Sequence, residues 1–260
     1  MGKTKEKNRN LKGAISDYSK AIKINPSSDE AYFRRGNAKE SLRDYQGAIV
    51  DFDSTISINS NNEIAFYKRG LAKFNIADFT GAKADFTVAI DINPKYDDAY
   101  WNRALTNDSL HDFNEAIADF SKIIEFEPTF AKAYLFRASD KSYAQDEAGE
   151  IADLSKAIDL FRTEIQKRGN DIFATISNKI FEGMAYSMRG GCKSNLKDFR
   201  GAIIDFTKAI ELEYKDGTVY YRRGIAKYNL ADKNGACLDW SKAGELGDGD
   251  AYDLIKKYCQ

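Results

Sequence analysis

The residues able to do chemistry are few and scattered. His111 is the only histidine and lies in the segment LHDF between two helical stretches, so a metal centre or a histidine-based triad has no second member. It reads as an exposed turn residue. Cys192, Cys237 and Cys259 stand at unrelated positions, without metal-ligand or redox spacing. They are expected to be reduced thiols packed as small residues, in a reducing, cytoplasmic setting. Neither a P-loop nor a dinucleotide fingerprint occurs, and the abundant carboxylates single out no pair for acid–base work. The expectation is no enzyme, no cofactor and no metal.

The elements carrying these residues repeat. Gly36, Gly70, Ala104 and Ala138 are 34 residues apart, as are Gly190 and Gly224. Asp51, Asp85, Asp119 and Asp153 keep that spacing, and Asp205 and Asp239 repeat it. Two aromatic slots stay in register: Tyr32, Phe66, Tyr100, Tyr134, Tyr186 and Tyr220, then Phe52, Phe86, Phe120, Leu154, Phe206 and Trp240. All three prolines, Pro26, Pro94 and Pro128, share one slot at a unit's end, where proline stops a helix. Ala48, Phe52 and Thr55 lie at helical spacing on one face, while small Gly36 admits a neighbouring helix. Each unit is therefore two antiparallel helices, and only the next unit can cover the exposed stripe.

This pattern of aromatic, small residue, alanine, aromatic and terminal proline resembles the tetratricopeptide repeat family, over essentially the whole chain. The resemblance implies an all-α, right-handed superhelical solenoid of antiparallel helix pairs closed by a C-terminal capping helix. Its segments are a partial repeat over 1–28, repeats over 29–62, 63–96 and 97–130, a repeat opening an extended hairpin over 131–182, repeats over 183–216 and 217–247, and a cap over 248–260. The units are most similar to the RG-x-AK…GAI-x-DF-x-KAI type of bacterial proteins.

Residues 1–28 read as a shortened first helix with Gly2 on the small slot, then a full second helix, as if the chain began inside a repeat. At the other end, Asp248 or Asp250 is placed to cap a last helix. Between Ala138 and Gly190 lie 52 residues instead of 34. A lengthened hairpin broken at Gly169-Asn170, with about nine residues added to each helix, accounts for the excess and projects about 13 Å beyond the stack. Ile165, Ile172, Phe173, Ile176, Ile180 and Phe181 argue against the alternative, a disordered loop.

Where the family carries leucine before its small residue, this chain has Arg35, Arg69, Arg103, Arg137, Arg189 and Arg223. The resemblance makes that slot largely buried, so each guanidinium needs an acceptor, and the Asp row supplies one per unit. A ladder of Arg–Asp pairs is expected; the alternative is two separate solvated rows. Lys39, Lys73, Lys141, Lys193 and Lys227, with Asn107 as the exception, replace the family's middle tyrosine. They are expected to lay their stems on apolar surface with the ammonium in water. Glu150 takes an alanine slot, which loosens the fourth unit.

In the resembled family the first helices line a concave binding face. The matching positions Phe33, Asn37, Tyr67, Leu71, Phe74, Trp101, Asn102, Leu135, Tyr221 and Tyr228 are the candidate partner-binding residues. Aromatics and amides of this kind suit an extended or helical peptide, unless the rings instead fill the core between repeats. Asn102 and Lys132 fall on slots of the family's chaperone carboxylate clamp, but Tyr67, Leu71 and Phe136 replace its other members, so no such clamp is implied. The charges nearly cancel, 39 basic against 40 acidic, which argues against nucleic acid, and no run is apolar enough to span a membrane. The expected function is a non-catalytic scaffold for a peptide or partner protein. The alternative is a structural spacer or self-associating solenoid, joined through its terminal half-repeat or hairpin.

Overall fold

The computed structural model describes residues 10–167, 171–214 and 216–259, which form fourteen helices and no strand. They fall into two compact units, Met1–Phe126 and Glu127–Gln260. The first holds α1 (Leu11–Ile24), α2 (Asp29–Ser41), α3 (Tyr45–Ile58), α4 (Glu63–Asn75), α5 (Phe79–Ile92), α6 (Asp97–Ser109) and α7 (Phe113–Phe126). The second holds α8 (Ala131–Tyr143), α9 (Glu147–Lys167), α10 (Ile172–Asn195), α11 (Phe199–Glu211), α12 (Gly217–Asn229), α13 (Lys233–Glu245) and α14 (Asp250–Tyr258). Within each unit successive helices pack on one another, and α2, α4 and α6 also touch in series. The expected first helix with Gly2, and the break at Gly169-Asn170, lie outside the described residues.

One turn design joins the two helices of each pair. Arg43, Ala77, His111, Gln145, Lys197 and Ala231 sit at φ between 61° and 65°, ending the first helix in a left-handed residue. Asp44 and Asp78 follow, each capping the second helix by accepting from the N–H of Gly47 or Gly81 at 3.0 Å. A Cβ on Gly47 would lie 2.3 Å from the Asp44 carboxylate, so the cap sits tightly against the glycine. The same turn places His111 on the surface, as expected.

Five pairs close around one large ring, and the α8–α9 pair closes around Leu154. Phe52, Phe86 and Phe206 are wholly buried, and Phe120 and Trp240 are nearly so, each contributing about 1.5–3 kcal/mol by burial. Gly70 lets α4 approach α5 so closely that a Cβ there would meet the Phe86 ring at 2.7 Å.

The insert is a lengthened hairpin, but an unequal one. α9 has 21 residues where α3 has 14, and α10 has 24 where α2 has 13. Phe161 and Phe181 stack at 5.9 Å, Arg162 pairs with Glu182 at 2.9 Å and also with the Tyr186 hydroxyl, and Asn178 donates to Glu164. Beyond this zipper Ile172, Phe173, Ile176 and Ile180 are exposed.

Two expectations for the C-terminal end are corrected. Neither Asp248 nor Asp250 caps α14: its N-cap position is Gly249, without a side-chain bond. Cys237 and Cys259 are not free thiols but a disulfide joining α13 to the end of α14. Their separation of 22 residues shows nothing in sequence; they meet because α14 folds back on α13, with Tyr258 packed at a tilt against Tyr228 and near Trp240. Disulfides persist in oxidising environments, so the cysteines no longer support a reducing one. Cys192 is the free, buried cysteine.

Candidate partner-binding face and the charged ladder behind it

The charged rows are paired. Arg35 donates Nε and Nη2 to the two oxygens of Asp51 at 3.0 and 2.6 Å. Arg69, Arg103, Arg137, Arg189 and Arg223 grip Asp85, Asp119, Asp153, Asp205 and Asp239 in the same bidentate way. Each of these guanidiniums also lies over the aromatic three residues before it, from Tyr32 to Tyr220, at 5.3–5.6 Å.

Sequence reasoning missed a third arm. Nη1 reaches the previous pair's second helix, donating to Ser19 from Arg35, Thr87 from Arg103, Ser155 from Arg189 and Thr207 from Arg223, and to Asp53 from Arg69. A polar residue two places after each row aspartate was the available signal. The arginines thus tie neighbouring pairs as well as the helices within one.

The lysine row does not end in water. Lys39, Lys73, Lys141, Lys193 and Lys227 each reach the second oxygen of the same aspartate at 2.8 Å. A buried carboxylate with two oxygens can hold two cations, and one turn of helix separates Arg and Lys on a single face. Asn107 leaves one rung incomplete. Its Nδ2 donates to Asp119 at 3.3 Å, while its buried Oδ1 has no hydrogen-bond partner. Burial raises the Asp119 pKa above the ordinary carboxylate value, with Arg103 opposing it.

The sign of the pH effect follows. Because the folded state binds the Asp119 proton more tightly than the unfolded chain, this residue favours folding below its unfolded pKa. That contribution disappears as pH rises through the raised value. Asn107→Lys should supply the missing cation, lower that pKa and add about 1 kcal/mol at pH 7. Urea titrations at pH 7 and pH 4 check this: the gain of the variant over wild type should shrink on acidification, and a pH-independent difference would rule the explanation out.

Glu150 is buried beside Ser142 and Cys192. Burial, then Glu150 and Glu147, push the Cys192 thiol up to about 11, which leaves it a poor nucleophile.

In the first unit the proposed face is lined by half-buried rings resting on the core. Phe33 lies 5.9 Å from Phe52, Tyr67 5.8 Å from Phe86 and Trp101 5.3 Å from Phe120. Phe74 meets Phe79 edge-on at 5.3 Å. Each of these rings thus packs against a core ring and keeps part of its surface open. Leu71 and Asn37 are half-buried between them, and Asn37 Oδ1 lacks a partner. Asn102 donates to the Tyr67 hydroxyl at 3.1 Å and to the Asp98 carbonyl at 2.8 Å. Tyr96, absent from the sequence reading, stands 4.9 Å from Tyr67. Its signal was a departure from the cap slot: Ser28 and Asn62 cap α2 and α4, whereas Tyr96 makes no cap bond for α6.

The second unit treats its candidates differently. Leu135 is 2% exposed and cannot meet a ligand. Lys132, on the same helical face, sits over the Phe181 ring of the elongated α10 at 4.5 Å, so the hairpin covers that side of α8. Tyr221 is half-buried and its carbonyl accepts from Trp240; exposed Tyr228 packs at a tilt against Tyr258 of the cap. A groove of about 270 Å³ runs between α10 and α12, lined by Gly191, Ser194, Asn195, Tyr221, Arg222 and Ile225. Among the described residues no helix is long and apolar enough to cross a membrane, and no group of ligands could hold a metal ion.

Two family models match parts of the chain: one described as TPR repeat over residues 9–42, the other as tetratricopeptide repeat over 97–130 and 185–216. These segments are tetratricopeptide repeats. The helical solenoid is likewise similar to solved tetratricopeptide structures. The C-terminal part of a TPR repeat-containing protein from Cytophaga hutchinsonii aligns with TM-score 0.75 at 18% identity, covering 97% of both chains. A tetratricopeptide repeat protein from Parabacteroides merdae aligns with TM-score 0.59 at 18% identity, covering all of this chain and 96% of the other. MamA from Desulfovibrio magneticus aligns with TM-score 0.60 at 18% identity, over 72% of this chain and 95% of the other. Likeness at this identity concerns the fold alone. No curated protein sequence matches the chain.

Proposed function

We propose that the chain is a non-catalytic scaffold that holds a peptide or partner protein on the first-helix face of its N-terminal unit. The observation that carries this reading is the row Phe33, Tyr67 and Trp101 on three successive first helices, each ring seated on a core phenylalanine and half open at the surface. Rigid aromatics of this kind supply contact area at little entropic cost. Asn37 and Asn102 punctuate the row with hydrogen-bonding groups, and the buried ladder behind it holds the spacing of the helices. Tyr221 and the groove beside Arg222 form a second candidate face, in the C-terminal unit. The repeat type is that of bacterial proteins.

The test is a pull-down from a bacterial lysate with the wild-type chain and a Tyr67→Ala, Trp101→Ala double variant whose helical circular dichroism is unchanged. A partner retained by wild type and lost by the variant supports the face. A partner retained equally by both removes it from consideration.

A second reading, self-association through the hairpin, rests on exposed Ile172, Phe173, Ile176 and Ile180. Light scattering across a concentration series, with Phe173→Glu as the control, distinguishes the two: a mass that rises with concentration in wild type and not in the variant favours assembly.

A further inference from the structure

Helix α6 has exchanged its cap for an aromatic ring. At the slot where Ser28 and Asn62 cap α2 and α4, Tyr96 makes no cap bond and forgoes a contribution of about 1 kcal/mol. The ring instead lies 4.9 Å from Tyr67, whose hydroxyl is held by Asn102 at 3.1 Å. Around this pair the charges are predominantly acidic. Glu40, Asp97 and Asp98 act on Tyr67, and Glu63, Asp97 and Asp98 act on Tyr96. Burial first, then the carboxylates, push the Tyr67 phenol up to about 12, and burial, then Tyr67 and the carboxylates, raise that of Tyr96. The cation beside them, Lys68, is bound to Glu40 at 3.1 Å. Asp97 accepts from the backbone N–H of Asp98, and the Asp98 carboxylate stands exposed at the rim.

Two adjoining rings under an excess of negative charge attract a cation twice, through their faces and through the carboxylate. We propose that the face takes a basic peptide segment, with a Lys or Arg side chain against Tyr67 and Tyr96, Asp98 as its counter-ion, and apolar neighbours on Leu71 and Trp101. This rests on the groove reading above and narrows it to one class of ligand. An acidic segment would meet uncompensated carboxylates at the same place.

The experiment is a selection of random twelve-residue peptides displayed on phage against the immobilised full chain. Each enriched peptide is then measured by fluorescence anisotropy on wild type, on Tyr67→Ala, Trp101→Ala and on Asp98→Asn. The proposal expects enriched peptides rich in Lys and Arg, binding about three- to fivefold weaker to Asp98→Asn and at least about thirtyfold weaker to the double variant. The fold of each variant is checked by circular dichroism. Enriched peptides that are neutral or acidic, yet lost in the double variant, overturn the basic-ligand proposal and leave the groove standing. Failure to enrich any peptide, or peptides indifferent to the double variant, overturns both.

Discussion

Asp85→Ala should cost about 3–5 kcal/mol in equilibrium urea unfolding, because the substitution takes the shared buried carboxylate from two partly buried cations at once. Asp85 is almost wholly buried and is held by Arg69 on both oxygens, at 2.9 and 2.5 Å, and by Lys73 on Oδ2 at 2.8 Å. Arg69→Met removes one cation but leaves the carboxylate paired with Lys73, and methionine fills part of the vacated volume, so its loss should be at least about 2 kcal/mol smaller. A Met, Met, Leu replacement of Arg69, Lys73 and Asp85 together should recover most of the loss, as apolar substitution of a whole buried ion cluster commonly does. Equal losses for the two single variants would mean that the ladder acts as independent surface charges. Arg69 also reaches Asp53 at 2.6 Å, so Arg69→Met should in addition loosen the contact between two pairs.

Reduction of the Cys237–Cys259 bond should free the capping helix without unfolding the rest. Closing a loop of this length contributes about 3 kcal/mol by restricting the unfolded segment, and α14 has only 9 residues, too few to be helical alone. What remains after reduction is the cluster of Trp240, Tyr228 and Tyr258 with Leu254 and Ile255 packed against it. Hydrogen exchange by mass spectrometry should show amides of residues 250–259 exchanging about a hundredfold faster in dithiothreitol, or in Cys259→Ser, with residues 10–126 unaffected. Protection unchanged by reduction would assign the cap to its aromatic contacts alone. Two thiols titrating in the unreduced protein would show that the bond is not formed.

The helix pairs were legible because a 34-residue period imposes the same demand at each unit: a small residue opposite a ring, an aspartate cap, a turn. The Arg–Asp ladder was legible for a related reason, since two charged rows in one register on buried slots must neutralise each other. The lysines were misjudged because a stem on apolar surface and an ion pair with an already paired aspartate demand the same residue at the same position. Leu135 was misjudged because its slot is open in a regular repeat, whereas here the side chain is buried.

Periodicity by itself determined the all-helical class, the pairing of helices, the lengthened hairpin and which residues share a face, for these depend on contacts between positions at constant spacing. Tertiary structure alone decided what depends on irregular approach. Cys237 meets Cys259 only after α14 folds back, and Tyr96 reaches Tyr67 only after α6 settles against α4. These contacts join side chains whose separation in sequence follows no common period, and the packing of the helices brings them within bonding distance.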